Sequence, residues 1–384
     1  MQSNKLAAMF AAVGMAVPVL AMATNGMIME GYGPIAAGMG GASMAYDNGT
    51  AALANNPATL GLMPEGRRVD VMLGFVGPDV KTSMGGKSSA DAFYMPAFGY
   101  ATKQGRLAYG VGIYGQGGMG TEYANGDMAQ VGVGRVIFPL AYAVNDRFNV
   151  GGSVDVVWAG MDLVVTNYNI NFKDHSDFTG AAKGYSLAAK LGFTYKLAAA
   201  LSLGGVYQSA SNLPDLKDGI YKVKGFDMPA TLGLGLAWQA NERVMVAADV
   251  KDLLWSSSMN TVTIYKNGAI YAPFQQDWND QVVLSLGLAY KFNDALTGRV
   301  GYNYGKNPIP NQFVSYLWPA IVENHYTAGF GYAFSKQSTV NFALSYAPKV
   351  SVTGTGPSPA MGGNGGVTID HSQLNWQLMY SYTF

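Results

Sequence analysis

Apolar and polar residues alternate with a period of two along most of the chain after residue 66. Successive side chains of a β-strand point to opposite faces, so each alternating run predicts a strand with one apolar face and one small or polar face. At the C-terminus one face consists of Leu374, Trp376, Leu378, Tyr380, Tyr382 and Phe384. Three other clear runs occupy residues 149–158, 186–196 and 282–292. The pattern therefore predicts an all-β fold.

The second face of these runs distinguishes between two all-β architectures. A soluble sandwich would carry Lys and Glu there, whereas this face holds mainly Gly, Ala, Ser, Thr and Asn with isolated charges. Many runs also end in Tyr, Phe or Trp. A transmembrane barrel needs apolar residues toward lipid, small or polar residues inside, aromatic residues at both interfaces and a closed backbone. We therefore predict a transmembrane β-barrel, with a large periplasmic sandwich as the alternative.

The runs predict about fourteen antiparallel strands. They start near residues 67, 91, 106, 131, 148, 181, 201, 226, 243, 281, 296, 323, 339 and 372. Short connections such as 102–105 and 145–147 alternate with long ones such as 117–130 and 171–180. In outer-membrane barrels the short turns are periplasmic and the long loops extracellular. This order puts the C-terminal Phe384 on the periplasmic side, where we expect the outer-membrane assembly machinery to recognise it.

Composition and the N-terminus agree with an exported membrane protein. Only 12% of the residues are charged, against roughly 25% in soluble domains, yet no run of about 20 apolar residues follows residue 23. Lys5, an apolar stretch at 6–20 and Ala21-Met22-Ala23 predict a secretory signal peptide at 1–23, cleaved before Thr24. A buried N-terminal helix is the alternative.

Charge and cysteine content exclude some functions. Cleavage would leave 23 basic and 24 acidic residues, a net charge near −1, so nothing here attracts nucleic acid. The chain has no cysteine and hence no disulfide framework. The expected location is the outer membrane of a Gram-negative bacterium, with outer-membrane lipid and lipopolysaccharide as partners and a monomer as the oligomeric state.

The segment 24–66 precedes the first strand and differs from the rest. It is too small for a domain, too apolar for a solvated tail, and broken by Pro57 and Pro64. Asn56 before Pro57 is a favourable helix N-cap with proline at the first helical position, and Asp47 and Asn48 can cap a turn over 50–55. We predict short helical turns packed inside a barrel of residues 67–384, and call 24–66 the hatch.

Several segments resemble the FadL-type family of outer-membrane transporters of long-chain fatty acids and hydrocarbons. They are GYGPIAAGMGGASMAYDNGTAALANNPATLGL at 31–62, GIYGQGGMGTEY at 112–123, GRVGYNYGKNPIPNQF at 298–313 and YTAGFGYAF at 326–334. The first contains the Asn-Pro-Ala motif of the family's hatch as Asn56, Pro57 and Ala58. The resemblance covers essentially the whole mature chain and implies fourteen strands around an N-terminal hatch.

The sequence also departs from the family. Where members often have an acidic-basic pair before a late strand, this chain reads PAIVENHY, with Glu323, Asn324 and His325. Its outer loops are modest in length. Both departures weaken the expectation of a fatty acid in particular, so aliphatic and aromatic hydrocarbons stay open as substrates.

The resemblance implies a route through the wall. Family members take a hydrophobic molecule into a pocket in the barrel and release it sideways, where the third strand kinks beside the hatch. Glycines weaken strand pairing and permit bulges, although the chain has 50 of them and clustering alone is not specific. The residues assigned to gating are Asn56, Pro57, Ala58, Gly115, Gly117 and Gly118. No energy-coupling module is visible, so we expect passive transfer.

The residues expected to contact substrate are Met27, Ile28, Met29, Tyr32 and Arg299. Methionine adapts to irregular apolar shapes, but ordinary packing of the hatch would explain the first four equally well. Inward-facing Arg135, Lys190, Lys251 and Arg299 could meet a carboxylate. Pairing with Asp155, Asp249 or the hatch backbone is favoured, because charges inside a barrel seek partners. His175, His325 and His371 are in or near predicted loops, where solvent is expected around them.

Three other function classes make different predictions. An outer-membrane hydrolase needs Ser and His, or Asp and His, in one constellation, and three scattered histidines do not provide it. We therefore expect no enzyme activity, cofactor or metal. A general diffusion porin would lack an apolar hatch. An adhesin or structural barrel would affect attachment without affecting uptake.

Overall fold

In the part of the chain that the structure describes, fourteen long antiparallel strands close into a barrel. The computed structural model describes residues 25–174, 180–213, 215–356 and 365–384, so the predicted signal peptide and His175 lie outside the described residues. The last wall strand pairs with the first from Arg68↔Thr383 to Thr82↔Ile369. This closure confirms the predicted fold class.

The described residues form twenty strands, numbered here in chain order. They are β1 (Gly66–Thr82), β2 (Gly86–Lys87), β3 (Phe93–Gln104), β4 (Leu107–Glu122), β5 (Met128–Asn145), β6 (Phe148–Val165), β7 (Ile170–Phe172), β8 (Ala182–Ala198), β9 (Leu201–Gln208), β10 (Leu216–Asp218), β11 (Tyr221–Lys224), β12 (Thr231–Gln239), β13 (Val244–Leu253), β14 (Thr261–Lys266), β15 (Ala269–Gln275), β16 (Gln281–Lys291), β17 (Leu296–Gly305), β18 (Asn324–Ala333), β19 (Ser338–Thr353) and β20 (Thr368–Thr383). Strands β2, β7, β10, β11, β14 and β15 belong to the outer connections, and the others form the wall. The helical pieces are α1 (Pro34–Ala37) and the 3₁₀ helices Gly49–Leu53, Pro57–Leu62, Thr166–Tyr168 and Trp255–Ser257.

The wall carries its apolar side chains outward. On β8, Leu187 and Leu191 are 68% and 66% exposed, whereas Lys190 faces the lumen and is 2% exposed. Apolar surface costs about 25 cal/mol per Å² in water, and soluble monomers rarely expose patches beyond a few hundred Å². The outer face is therefore suited to lipid hydrocarbon. Among the described helices, none is long and apolar enough to cross a membrane.

The wall strands begin within a few residues of the positions that the alternation predicts. The predicted long link at 117–130 is wrong, because β4 continues to Glu122 and β5 begins at Met128. The glycines of this stretch stay in the β4–β5 ladder, up to Gly120↔Gln130 and beyond. The other outer connections are also partly sheet, since β10, β11, β14 and β15 extend the wall outward from β8.

The hatch lies in the lumen as a nearly fully buried segment. Its short helical turns agree with the prediction, and the side chain of Asn56 accepts a hydrogen bond from the amide of Ala58 at 3.1 Å. The preceding turn is capped differently from the prediction. Asp47 accepts from the Gly49 amide, but the amide of Thr50 donates to Asp70 of β1 at 2.6 Å.

The predicted capping role of Asn48 is wrong. Its side-chain amide turns back and donates to the carbonyl groups of Ser43 and Tyr46, and the first 3₁₀ helix of the hatch has no side-chain cap from it. A wall carboxylate replaces it because the hatch is surrounded by strands rather than by solvent. The cap therefore joins the hatch to the wall.

Replacing Asp70 by alanine should loosen the hatch while the barrel still forms. The buried Thr50 amide would lose its acceptor, at a cost of about 1–3 kcal/mol. Protease resistance of the hatch and denaturant unfolding in detergent would measure the change. Asp146→Ala, in an exposed turn, is the matched control; equal resistance of the two variants would contradict a tether at Asp70.

Candidate functional site

The wall has a gap between β3 and β4. Their ladder ends at the pair Phe98↔Ile113. Farther outward, the described part of β3 stays paired with β1 as far as Phe93, and β4 stays paired with β5 as far as Glu122. The chain leading into β3 meets β4 again at the outer end, where the Ser89 amide donates to the Glu122 carbonyl at 2.9 Å. This interval, called the wall gap below, is bounded by hydrogen bonds at both ends.

A bulge bends the strand that borders the wall gap. The β4–β5 register shifts between Gly115 and Gly117, which leaves Gln116 outside the ladder. An extra residue of this kind bends its strand and increases its twist. Two of the glycines assigned to gating therefore flank a real irregularity of the wall.

The N-terminal end of the hatch lies against this bulge. Ile28 forms a bridge with Gly117, and the Gly118 amide donates to the Met27 carbonyl at 3.0 Å. A Cβ atom on Gly117 would be 1.7 Å from the Met27 carbonyl oxygen. Only glycine permits this approach, so Gly117 determines how closely the hatch reaches the wall gap.

Gln116 is bonded both to the hatch and to the neighbouring strand β5. The Tyr32 hydroxyl donates to its carbonyl at 2.7 Å, and Arg135 Nε donates to its side-chain oxygen at 2.5 Å. Tyr32 in turn exchanges hydrogen bonds with Asn55, whose side chain accepts from its amide and donates to its carbonyl. The bulge, the hatch and the buried charges thus form one network.

The buried charges of β5, β6 and β8 are paired, as the favoured alternative predicts. Asp155 Oδ2 lies 2.8 Å from Arg135 Nη1 and 3.3 Å from Lys190 Nζ. Lys190 also donates to the Leu53 carbonyl of the hatch at 3.1 Å, and Arg135 donates to Ser211. Removing one member of a buried ion pair is strongly destabilising, so this cluster anchors the hatch to three wall strands.

A second set of charges on β13 contacts the hatch backbone. Asp249 accepts from the amides of Ser43 and Met44, at 2.6 and 3.2 Å. Lys251 Nζ donates to the carbonyl groups of Glu30 and Gly41, at 3.4 and 3.2 Å. The Lys251 contacts follow the favoured alternative, in which lumen cations bind the hatch backbone. Asp249, expected there as the partner of a cation, accepts from hatch amides instead.

Three small cavities meet at Tyr32. The first, of about 50 Å³, is lined by residues that include Ile28, Met29, Tyr32, Lys251 and Leu253. The second and third, of about 10 Å³ each, share Tyr32, Tyr114 and Gly115. The third also reaches Met95 on β3, beside the wall gap. For comparison, an engineered apolar cavity of about 150 Å³ binds benzene, so passage of even a single ring requires side chains here to move.

The other substrate-contact candidates lie elsewhere. Met27 is fully buried in the apolar cluster of the outer half of the lumen, and its described contact with the wall is through its carbonyl. Arg299 of β17 donates to Asn341 of β19 at 3.1 Å. It is not among the described residues that line the three cavities.

The Asn-Pro-Ala motif lies at the contact between hatch and β8. Besides capping Ala58, the Asn56 side-chain amide donates to the Met44 carbonyl at 2.8 Å and to the Phe193 carbonyl of β8 at 3.2 Å. Pro57 starts the last 3₁₀ helix of the hatch. The motif therefore has two separable contacts, one that caps a turn and one that ties it to the wall.

The outer mouth is closed by the connection 306–323. The Leu317 and Tyr316 carbonyl groups accept from Thr121 and Tyr123, at 3.0 and 2.8 Å. The Tyr316 hydroxyl donates to Asp127 at 2.7 Å. Burial, together with this carboxylate, raises the pKa of Tyr316, so the phenol stays protonated as a donor. These bonds attach the connection 306–323 to the outer end of β4 and the residues that follow it, on the outer side of the wall gap.

The prediction that His325 and His371 are solvated is wrong. They are 0% and 1% exposed, because both follow the inward parity of their strands. His371 Nδ1 lies 2.7 Å from the Pro319 carbonyl and Nε2 lies 3.1 Å from Gln373 Nε2, an arrangement in which Nδ1 donates and Nε2 accepts. The alternation places Gln373 on the inward face, and His371, two residues earlier, shares that face. The sequence pattern was therefore sufficient to predict its burial.

Comparisons with known proteins agree with this geometry. The Ralstonia pickettii toluene transporter TbuX is 28% identical, with a TM-score of 0.75 over 92% of this chain and 99% of that one. The P. putida toluene transporter TodX is 29% identical, with a TM-score of 0.78 over the same shares. A Pseudomonas aeruginosa FadL homologue has a TM-score of 0.76 over 94% of this chain and all of that one; at 16% identity it supports the fold alone.

Sequence comparisons give one short match to a relative and one family match over most of the chain. A Chlorobium limicola relative, described as an uncharacterized protein in the phosphoenolpyruvate carboxykinase gene 5′ region, is 61% identical over 46 residues, which span 12% of this chain and 23% of that protein. The profile of a family described as "Outer membrane protein transport protein (OMPP1/FadL/TodX)" matches residues 19–384. The chain belongs to this family of outer-membrane transport channels and is not an enzyme.

Proposed function

We propose that this protein is a passive channel for neutral hydrophobic small molecules, aromatic hydrocarbons above all, which leave the barrel sideways through the wall gap. The observation that carries the proposal is the interruption of the β3–β4 ladder beside the cavities that meet at Tyr32. The two relatives described as toluene transporters support the aromatic class.

The energetics of transfer favour a lateral exit. Apolar burial is worth about 0.8 kcal/mol per CH₂ group, so a hydrocarbon gains little from a water-filled pore and much from direct entry into lipid. An apolar pocket that opens to the bilayer avoids full hydration at every step. Movement then exchanges pocket contacts for lipid contacts of similar strength, which is consistent with transfer down a gradient.

Most of the lumen cations already have partners within the protein, which favours a neutral substrate over a fatty acid. Arg135 and Lys190 share Asp155, and Arg299 donates to Asn341. A carboxylate would have to displace one of these partners. Lys251 is the exception that keeps a fatty acid as the second candidate, because it lines the largest of the three cavities and its two hydrogen bonds are long.

Gly117→Ala should slow hydrocarbon uptake severalfold in a folded barrel. The new methyl group would overlap the Met27 carbonyl and displace the N-terminal end of the hatch from the wall gap. Uptake of labelled toluene by cells that express the variant is the measurement, with heat-modifiable gel migration as the test of folding. Gly268→Asn, in an outer turn with open space and a left-handed φ that asparagine tolerates, is the control. Unchanged uptake by Gly117→Ala would contradict the lateral route.

Substitution of Asn56 separates gating from capping. Asn56→Ser keeps an oxygen that can cap the turn but loses the donor to Met44 and Phe193, whereas Asn56→Ala loses both functions. If the tie to β8 matters for passage, both variants slow toluene uptake with the barrel folded. Wild-type uptake by the serine variant, with a defect only in the alanine variant, would assign the motif to capping alone.

Lys251→Met distinguishes the two substrate classes. For a neutral aromatic substrate, toluene uptake should stay within about twofold of wild type, because the new side chain is apolar and adaptable. The test compares uptake of labelled toluene and labelled oleate in parallel. Loss of oleate uptake with toluene unaffected would favour the fatty-acid alternative, and steady ion conductance of the reconstituted protein would favour a porin.

A further inference from the structure

A row of lysines crosses the outer extension of the barrel wall. Lys183 of β8 pairs with Lys217 of β10, and Lys217 pairs with Lys222 of β11. The next register partner is Tyr265 of β14. Residues directly opposite each other on neighbouring strands share a face and lie about 5 Å apart. Lys183, Lys217 and Lys222, called the lysine row below, therefore form a compact line of three like charges.

The lysine row faces outward, toward the membrane side of the barrel. Lys183 has the same parity as Tyr185 and Leu187, which are 65% and 68% exposed on the lipid side of β8. The alternate residues of the short strands, Leu216 and Val223, are buried. The three ammonium groups are thus on the outer surface of the sheet rather than in the lumen.

The height of the row places it in the headgroup layer. Tyr185 pairs with Trp158 of β6, and aromatic residues of this kind mark the membrane interface in outer-membrane barrels. Lys183 lies two residues farther out along β8, a rise of about 7 Å before strand tilt is considered. The row therefore lies just outside the hydrocarbon, on the extracellular side.

Among the described residues, the carboxylates near the lysine row are fewer than the lysines. Asp174 lies 3.4 Å from Lys183, and Asp215 is shared between Lys222 and Lys224, at 3.4 and 3.7 Å. No carboxylate of the described residues lies within the 4.0 Å ion-pair distance of Lys217. Like charges directly opposite on a sheet are destabilising, so an anion from outside would relieve the repulsion.

The anion that fits is a membrane phosphate. Ammonium groups form strong charge-assisted hydrogen bonds with phosphate oxygens, and a row of three lysines on one outward face suits a surface lined with anions rather than a single small ion. The family places the chain in the outer membrane, whose outer leaflet carries the phosphates of lipopolysaccharide. We propose that the lysine row binds the lipid A phosphates of lipopolysaccharide.

The lysine row plays no part in the route of the transported substrate. The row is outside the lumen and separate from the wall gap, which lies between β3 and β4. Lys222 is held over the Tyr265 ring, 4.5 Å from its centroid, a contact that orients the ammonium group at an exposed site. Lys222 is therefore positioned before any lipid arrives.

The test compares lipopolysaccharide binding by two triple variants of the full chain. Lys183→Gln/Lys217→Gln/Lys222→Gln removes the row, and Lys196→Gln/Arg243→Gln/Lys336→Gln removes the same charge from exposed periplasmic positions. Native mass spectrometry of detergent-purified protein would be titrated with deep-rough lipopolysaccharide. Removing three cations near an anionic surface should make the first variant bind about 100-fold more weakly. The second should bind like wild type.

Two further ligands make the assignment specific. Lipopolysaccharide treated to remove the lipid A phosphates should bind wild type as weakly as the intact form binds the row variant. Phosphatidylglycerol should bind wild type more weakly than intact lipopolysaccharide. Equal binding of lipopolysaccharide by the row variant and wild type, no effect of phosphate removal, or equal affinity for phosphatidylglycerol would each overturn the proposal. Lys217→Gln alone, with a smaller loss, covers the case in which the triple variant fails to fold.

Discussion

The structure depends on one constraint: backbone N–H and C=O groups that lie within the hydrocarbon layer must have hydrogen-bond partners in the protein. Closure of β1 on β20 satisfies it around nearly the whole wall. At the wall gap, partners come from inside the barrel: the Met27 carbonyl for Gly118 and the Tyr32 hydroxyl for Gln116. The hatch therefore completes the wall where the β3–β4 ladder is interrupted, and a shift of the hatch changes the wall there.

Buried charged side chains of the wall also hold the hatch in place. Three buried ionic groups of the lumen, Asp70, Asp249 and Lys190, each contact a different part of the hatch backbone. Such contacts are directional and fix a register that apolar packing alone would leave loose. The small cavities near Tyr32, which apolar and polar side chains line together, are thereby held between fixed supports.

Much of the fold is readable from the sequence because alternation with lipid outside is a strong signal. It predicts the strands, the closure and the inward position of the hatch. The bulge at Gln116 is less accessible, since a glycine-rich stretch is equally compatible with a loop, and the ladder to β5 decides between them. The caps of the hatch depend on Asp70, which is distant in space until the barrel forms. For His371 the alternation of the strand correctly indicates an inward position. The prediction of solvent exposure relied instead on its nearness to a predicted loop.

The position of the hatch has a consequence for assembly. It precedes β1 in the chain, is tied to β1 through Asp70, and also contacts β8 and β13 through Asn56 and Asp249. All of these ties can exist only when the three strands surround the hatch. The joining of β1 to β20 is then the event that seals the hatch within the lumen.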